Sequence, residues 1–376
     1  MATSLKKTRL ESLDVLRGFD LFMLVFFQPV FVAFVANFSE DSFISRFSGV
    51  TFHHINWEGF QAWDLVMPLF LFMAGASIPF AYSAYKKGEV SKTSMFRRIA
   101  KRVLLLWLFG MIVQGNILDL DLGTLRLYSN TLQSIAIGYL FSSLIYMFCS
   151  LRGVIIACIA LPVLYTIGMQ IYGVYLPGDN LAEMIDRAVL GRFVDGATVD
   201  ASGNVVFAEW YNYAWIYPSL NFTTTVLSGV LTTCLLKSNL AEKKKVFYLL
   251  LAGVGCIVAA YALSPVEPIV KKLWTSTMTL LTSGYSILLL AGTYYLIDVM
   301  RKGKWLKWLK FYGMNSILAY MLYNSLDLRS LIQHWFHGFE QYLGSGAYTV
   351  LFVFVKVSII FFILRYCYQK SVFLKV

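Results

Sequence analysis

Charge is scarce in this chain of 376 residues: 14% are Asp, Glu, Lys or Arg, while 58% are hydrophobic. With a positive mean hydropathy, that scarcity excludes a soluble domain and reads as a polytopic membrane protein. Cysteine is scarce too. All five, Cys149, Cys158, Cys234, Cys256 and Cys367, fall within predicted spans or on the predicted inner side, so neither a disulfide framework nor an outer cysteine nucleophile is expected. The four histidines, His53, His54, His334 and His337, all fall on the outer side, which confines any acid–base histidine to that face. No cleavable signal peptide is read, because Lys6 to Arg17 is charged throughout, the next span is too long for an h-region, and no small-residue cleavage site ends it. Internal repeats and low-complexity tracts are missing as well, which weakens a transporter built on repeats.

What is present is a series of ten apolar spans, at about 16–36, 62–84, 103–117, 130–149, 153–173, 216–236, 246–263, 273–299, 308–325 and 347–366. Such spans must satisfy their own backbone hydrogen bonds, so the expected fold is an all-α bundle of about ten transmembrane helices forming one domain, 1–376. The net charge of +11 follows topology. With both termini cytoplasmic, the inner segments hold Lys6, Lys7, Arg9, Lys86, Lys87, Lys92, Arg97, Arg98, Lys101, Arg102 and Arg152. Further along they hold Lys237, Lys243, Lys244, Lys245, Arg301, Lys302, Lys304, Lys307, Lys310, Arg365, Lys370 and Lys375. The outer segments hold only Arg46, Arg126, Arg187, Arg192, Lys271, Lys272 and Arg329. This positive-inside asymmetry points to a lipid bilayer and away from nucleic acid as the partner of the charge. Two outer segments stand out. Residues 174–215 suggest a small lid, and Leu328 to Leu343 places Leu331, Trp335, Phe336 and Phe339 at the spacing of an interfacial amphipathic helix.

The block His54-Ile55-Asn56-Trp57-Glu58-Gly59-Phe60, followed by Trp63-Asp64-Leu65-Val66-Met67-Pro68, sets a histidine, two acids and two tryptophans at the mouth of the second span. His54 is either an interfacial residue bonded to a backbone carbonyl or a general base or nucleophile. Asp64 is either a cap of the second helix or the carboxylate that orients the histidine ring. A second constellation lies in the first span. At about 100° per residue, Arg17, Asp20 and Gln28 project within roughly an 80° sector of one face, a polar stripe that ties helices together or lines a cavity. Arg97, Arg98, Lys101 and Arg102 suit a phosphate-bearing ligand or simply the positive-inside rule. Gln133 and Asn315 are buried donors or helix glue, and Lys272 with Trp274 has the ordinary look of a helix end at the interface. His334 and His337 joined to His53 and His54 would make a metal site, but an interfacial helix explains them equally, and no metal is expected.

Ser12-Leu13-Asp14-Val15-Leu16-Arg17-Gly18-Phe19-Asp20, the block from His54 through Trp57, Gly59, Asp64-Leu65-Val66, Pro68, Phe70 and Phe72 to Gly75, then Leu273-Trp274-Thr275 and Tyr312-Gly313-Met314-Asn315-Ser316-Ile317-Leu318, occur in this order. Together they resemble the transmembrane acetyltransferase family of the lysosomal heparan-alpha-glucosaminide N-acetyltransferase and its bacterial relatives, from about residue 10 to 325. Gln28 stands where that family has an asparagine, Ser134 where it often has an arginine, and Tyr217-Pro218-Ser219-Leu220-Asn221 where it often has an acidic block.

The resemblance implies transfer of an acetyl group from cytoplasmic acetyl-CoA, a co-substrate, to the amine of a glucosamine-like glycan on the outer side. It puts the active-site histidine on His54 and the acidic residue on Asp64. In that scheme Gln28 or Asn315 donates to the oxyanion, while Arg17, Asp20, Arg97, Arg98, Lys101, Arg102 and Gln133 hold the donor. Asn56, Trp57, Glu58, Lys272 and Trp274 would meet the acceptor, and outer aromatics such as Trp57, Trp63, Trp210, Tyr211, Tyr213 and Trp215 suit stacking on sugar rings or an aromatic belt. The implied setting is a bacterial cytoplasmic membrane with His54 towards the periplasm, and a homodimer is compatible with it. The alternative is a carrier for an amino sugar or other small solute, with Arg17, Asp20 and Gln28 as a midplane site and His54 and Asp64 as an outer gate.

Overall fold

The computed structural model describes residues 10–374 apart from 115, 116 and 119. Lys6, Lys7, Arg9 and Lys375, and part of the end of the predicted third span, lie outside the described residues. The first span is a continuous rod of α1 (Glu11–Phe22), a π turn (Met23–Phe27) and α2 (Gln28–Val35). It starts where Asp298 accepts the backbone N–H groups of Glu11 and Ser12 at 3.3 and 3.2 Å, two of the donors that a helix leaves unpaired at its first turn. After the short α3 (Phe43–Thr51), a 3₁₀ turn (Ala62–Leu65) opens α4 (Val66–Ala81), and α5 (Ser83–Lys86) completes that span. Next come α6 (Lys92–Val113), α7 (Thr131–Phe148) and α8 (Leu151–Tyr172).

The predicted lid segment then leaves the bundle as two small antiparallel hairpins around one helix. β1 (Tyr175–Leu176) pairs with β2 (Asp179–Asn180), α9 (Leu181–Leu190) follows, and β3 (Thr198–Val199) pairs with β4 (Val205–Val206). The chain re-enters as α10 (Ser219–Leu236), α11 (Glu242–Leu263) and α12 (Ser276–Tyr294). A broken rod of α13 (Lys310–Met314) and α14 (Ser316–Ser325) precedes α15 (Arg329–Phe336), the interfacial segment expected from the sequence, and α16 (Glu340–Gln369).

The protein is an all-α polytopic membrane protein. Among the described residues, eight helical stretches are long and apolar enough to cross a membrane. The other two predicted spans correspond to α6 and to α13–α14. α6 begins at Lys92 rather than near 103, so its first turns carry Arg97, Arg98, Lys101 and Arg102, and the α13–α14 rod is interrupted at Asn315, where ψ turns to 41°.

Helices surrounded by lipid gain little from apolar attraction alone, so close backbone approach matters more than in water. Two crossings here depend on glycine. A Cβ on Gly75 of α4 would stand 1.8 Å from the Val226 carbonyl oxygen of α10, and one on Gly229 would stand 2.0 Å from that of Phe72. In the same way Gly18 of α1 faces the Leu309 carbonyl and Gly313 of α13 faces that of Asp14. Thr233 adds a hydrogen bond across the first crossing, to the Ala76 carbonyl at 2.9 Å. These contacts clamp α4 to α10 and α1 to α13, and the space left between α1, α4, α6, α7 and α14 holds the cavity described below.

Gly75→Leu should therefore cost at least about 3 kcal/mol, because the clash is with backbone that cannot step aside. Gly255→Leu, at a position with nothing within 4 Å, should leave stability almost unchanged. Thermal unfolding of the two variants in one detergent tests the contrast, and equal melting temperatures would refute the clamp.

Candidate active site

The site starts at the end of α3. The Phe52 N–H closes that helix on the Ser48 carbonyl, and the His53 Nδ1–H donates to the same carbonyl at 3.1 Å. His53 is thereby a helix-ending residue. The chain then turns, and the next side chain, His54, is 44% exposed with Nδ1 2.7 Å from Oδ1 of the fully buried Asp64. The other oxygen of Asp64 accepts the Gln61 N–H at 3.0 Å and so fixes the start of the 3₁₀ turn into α4. Asp64 is thus both a helix cap and the carboxylate that orients the ring. An ionised carboxylate can only accept, so Nδ1 carries a proton, and in the neutral ring the lone pair is on Nε2.

A third group comes from far along the chain. Lys271, in the turn between α11 and α12, places Nζ 3.2 Å from Asp64 Oδ1, 2.7 Å from His54 Nδ1 and 3.2 Å from His54 Nε2. Since Nδ1–H already donates to Asp64, the amine sits against the ring edge and can donate to the carboxylate and towards Nε2. Burial, partly offset by the Asp64 charge, pulls the Lys271 ammonium down to about 8.

The turn that holds it is tied on every side. Gly59 N–H donates to Ile269 O, Trp274 N–H to Lys271 O, Ala214 N–H to Lys272 O and the Tyr165 hydroxyl to Leu273 O. Thr275 Oγ1 accepts the Val270 N–H, and Asn221 Nδ2 donates to Trp274 O. Trp274 adopts a positive φ of 50°, an uncommon backbone state for a residue with a side chain. Lys272 points outward instead, with Nζ 5.9 Å from the Trp57 ring centre and 5.5 Å from that of Tyr213.

From His54 and Lys271 a cavity of about 630 Å³ runs along α4. Met67, Phe70, Ala74 and Ser77 line it at a spacing of three and four, with Val66 beside Met67, along about 16 Å of the helix. At the histidine end Tyr211, Tyr213, Trp215, Ser129 and Asn130 join them; the middle is apolar, with Leu24, Leu106, Ile135 and Ile317; at the other end stand Arg17 and Arg102. Arg17 donates to the Met73 carbonyl at 3.4 Å, and the Arg102 guanidinium lies 4.1 Å from the Tyr139 ring centre.

The residues expected from the sequence therefore separate. His54, Arg17 and Arg102 line the cavity, and Asp64 lies behind His54, fully buried and outside the lining. Asp20 is buried but does not line it, and Gln28 donates to the Phe52 carbonyl at 3.4 Å instead. The cause is the π turn Met23–Phe27, which lags the α-helical phase by roughly 100° and rotates Gln28 off the Arg17 face. Arg97, Arg98 and Lys101 are exposed on α6, away from the lining. Gln133 accepts the N–H groups of Ser129 and Asn130 and donates to Leu127 O at 2.7 Å, so its amide shapes the loop before α7. Asn315 is consumed by the carboxyl-terminal segment, donating to Val372 O and accepting from the Leu374 N–H, both at 3.0 Å.

On the acceptor side, Asn56 and Glu58 are exposed, with Glu58 backbone-bridged to Val270. Trp57 donates its indole N–H to Tyr175 O at 2.9 Å, and Trp274 is buried in the turn core. Lys271 is the residue that sequence reasoning passed over, one position from the Lys272 it chose. The adjoining Leu273-Trp274-Thr275 block was the signal that pointed to this turn.

The aromatic lip has its own support. Asp186 of α9 accepts the backbone N–H groups of Trp215 at 2.7 Å and Ile216 at 3.0 Å, and burial pushes its carboxyl up to about 7. The Trp215 indole donates to the Tyr211 hydroxyl at 2.8 Å.

Residues 9–158 match a family described as Domain of unknown function (DUF5009). The matched stretch includes Arg17, His54, Asp64 and Arg102, while Lys271 lies beyond it. No curated protein matches the chain.

Asp186→Ala would strand two buried N–H donors at about 1–3 kcal/mol each and loosen the lip. Chymotrypsin cleavage around Tyr211 and Tyr213 is expected to accelerate at least about tenfold, as a loss of this size in a local opening equilibrium allows; an unchanged cleavage rate would show that Asp186 does not hold the segment.

Proposed function

We propose that the protein is a transmembrane acyltransferase that takes an acetyl group from acetyl-CoA at the Arg17–Arg102 end of the cavity and delivers it to the amine of an amino sugar at the His54 end. The observation that carries this reading is one continuous cavity with arginines at one end and a carboxylate-oriented histidine at the other. Lys and Arg are concentrated at the arginine end, which by the positive-inside rule is cytoplasmic, and that puts His54 on the far side of the membrane. Coenzyme A is too highly charged to cross. Its phosphates would stay with Arg17 and Arg102, and its slender acyl-bearing arm would follow the apolar face of α4.

A thioester is already activated, so the protein must supply an unprotonated amine in the right place. His54 Nε2 takes the proton from the attacking amine, and Asp64 holds the ring in the tautomer that makes this work. Tyr211, Tyr213 and Trp215 give the acceptor sugar a stacking surface beside the histidine. The same cavity admits a carrier reading, in which a hydrated solute traverses it. The apolar middle, lined by Leu24, Phe70, Leu106, Ile135 and Ile317, favours an acyl-bearing arm over a polar sugar.

Purified protein in nanodiscs, incubated with radiolabelled acetyl-CoA and a panel of amino sugars, is expected to label the amine. His54→Ala should lower turnover about 10²–10⁴-fold, the usual contribution of a general base. Arg102→Ala should raise the KM for acetyl-CoA about tenfold or more, the loss of a charge-assisted contact. Labelling at the wild-type rate in His54→Ala, or counterflow of an amino sugar in proteoliposomes without acetyl-CoA, would defeat the acyltransferase reading.

A further inference from the structure

We propose that Lys271 is a catalytic residue whose ammonium group holds the oxyanion formed when the acyl carbonyl is attacked beside His54. The inference rests on the acyltransferase reading and gives that site a charged electrophile beside the histidine. The two amides expected from the sequence to fill the role are both engaged elsewhere, Gln28 with the Phe52 carbonyl and Asn315 with Val372 and Leu374. Lys271 lines the cavity next to His54, and its Nζ is 3.2 Å from the Nε2 that takes the acceptor's proton. A carbonyl oxygen whose carbon is being attacked by a nucleophile bonded to Nε2 falls within reach of that same ammonium.

Preorganisation is built into the surroundings. A lysine normally loses much rotamer freedom when it is fixed, but here the buried stem and the Asp64 contact have already fixed it before substrate arrives. The reaction then balances as follows. The amine nitrogen forms a bond to the acyl carbon while His54 Nε2 accepts its proton, and the carbonyl π electrons move to oxygen, where Lys271 donates a hydrogen bond. The carbonyl re-forms, the carbon–sulfur bond breaks, and the CoA thiolate leaves with the proton that His54 returns. Amine and acetyl thioester become amide and free thiol.

Titration of Lys271 should then appear in the rate. The charged and titratable groups around it are Asp64 at the head of α4, His54 from the α3–α4 segment, Lys272 on the same turn and Tyr213 from the lip. Burial holds the Tyr213 phenol above its ordinary value of 10, so it stays neutral through the range of interest. The lysine is charged below about 8 and loses its proton above it, so turnover should fall as pH rises through that value.

The experiment is a pH profile of kcat and of the KM for acetyl-CoA in wild type, Lys271→Met and Lys271→Arg, each checked for folding by thermal unfolding. Lys271→Met is expected to lose about 10²–10³-fold in kcat, the usual effect of removing an oxyanion donor, with KM for acetyl-CoA unchanged. Should Lys271→Met fail to fold because Asp64 is left unpaired, Lys271→Arg decides the matter, because a guanidinium stays charged throughout the range. It should retain measurable turnover, and the fall near pH 8 should disappear. Wild-type kcat in Lys271→Met, or an unchanged fall near pH 8 in Lys271→Arg, would overturn the assignment while leaving the acyltransferase reading intact. A wild-type protein that acetylates no acceptor would remove both.

Discussion

Asp64 has no exposure to solvent and two oxygens with different duties, and the geometry of the site depends on both being met at once. One oxygen receives the Gln61 N–H and starts the helix that forms the longest wall of the cavity. The other receives the His54 ring proton and faces the Lys271 ammonium. An uncompensated buried carboxylate would cost several kcal/mol, so the histidine and the lysine are drawn to it by the same force that keeps the helix start in place. Site and scaffold share one anion.

That anion is matched by a rigid opposite bank. The turn from Ile269 to Thr275 receives hydrogen bonds from the His54–Gly59 segment, from α8, from α10 and from the lip, so elements distant in sequence meet at one short stretch of backbone. Glu267 reinforces it from below, accepting from the Thr166 hydroxyl at 2.8 Å and from the Ser276 N–H at 3.2 Å. Buried backbone needs protein groups where water is missing. Here each carbonyl from Ile269 to Trp274 accepts from a protein N–H or O–H, and the Lys271 side chain inherits the stiffness of the turn.

Much of this was legible in the sequence. The spans announced themselves because lipid demands long apolar helices, and His54 with Asp64 was readable because only ten residues separate two groups that hydrogen-bond each other. Arg17 and Arg102 were readable as cations near one end of their helices. What could not be read depended on backbone detail or on distance. Gln28 was misplaced because nothing in Met23-Leu24-Val25-Phe26-Phe27 marks a π turn, and an ideal helix keeps it in phase with Arg17. The choice between Lys271 and Lys272 rests on contacts with Asp64 and with a histidine 217 positions away, which no residue pattern advertises. Gln133 and Asn315 have the composition of ligand donors but spend their amides on neighbouring backbone, as polar groups in a bundle commonly do.

The π turn in the first span has a further meaning when chains are compared. Set against an α-helical rod of the same length, the five π residues leave both ends helical and rotate everything that follows them by roughly 100°. An ungapped alignment running through Met23–Phe27 would therefore equate positions that face different sides of the bundle. A chain of the same length whose first span is α-helical throughout would carry its counterpart of Gln28 on the side of Arg17, whereas one shorter by a residue at this place would keep it off that side. The choice between α and π winding over these five residues is in that sense a switch of address, able to turn an amide towards or away from Arg17 without substituting it.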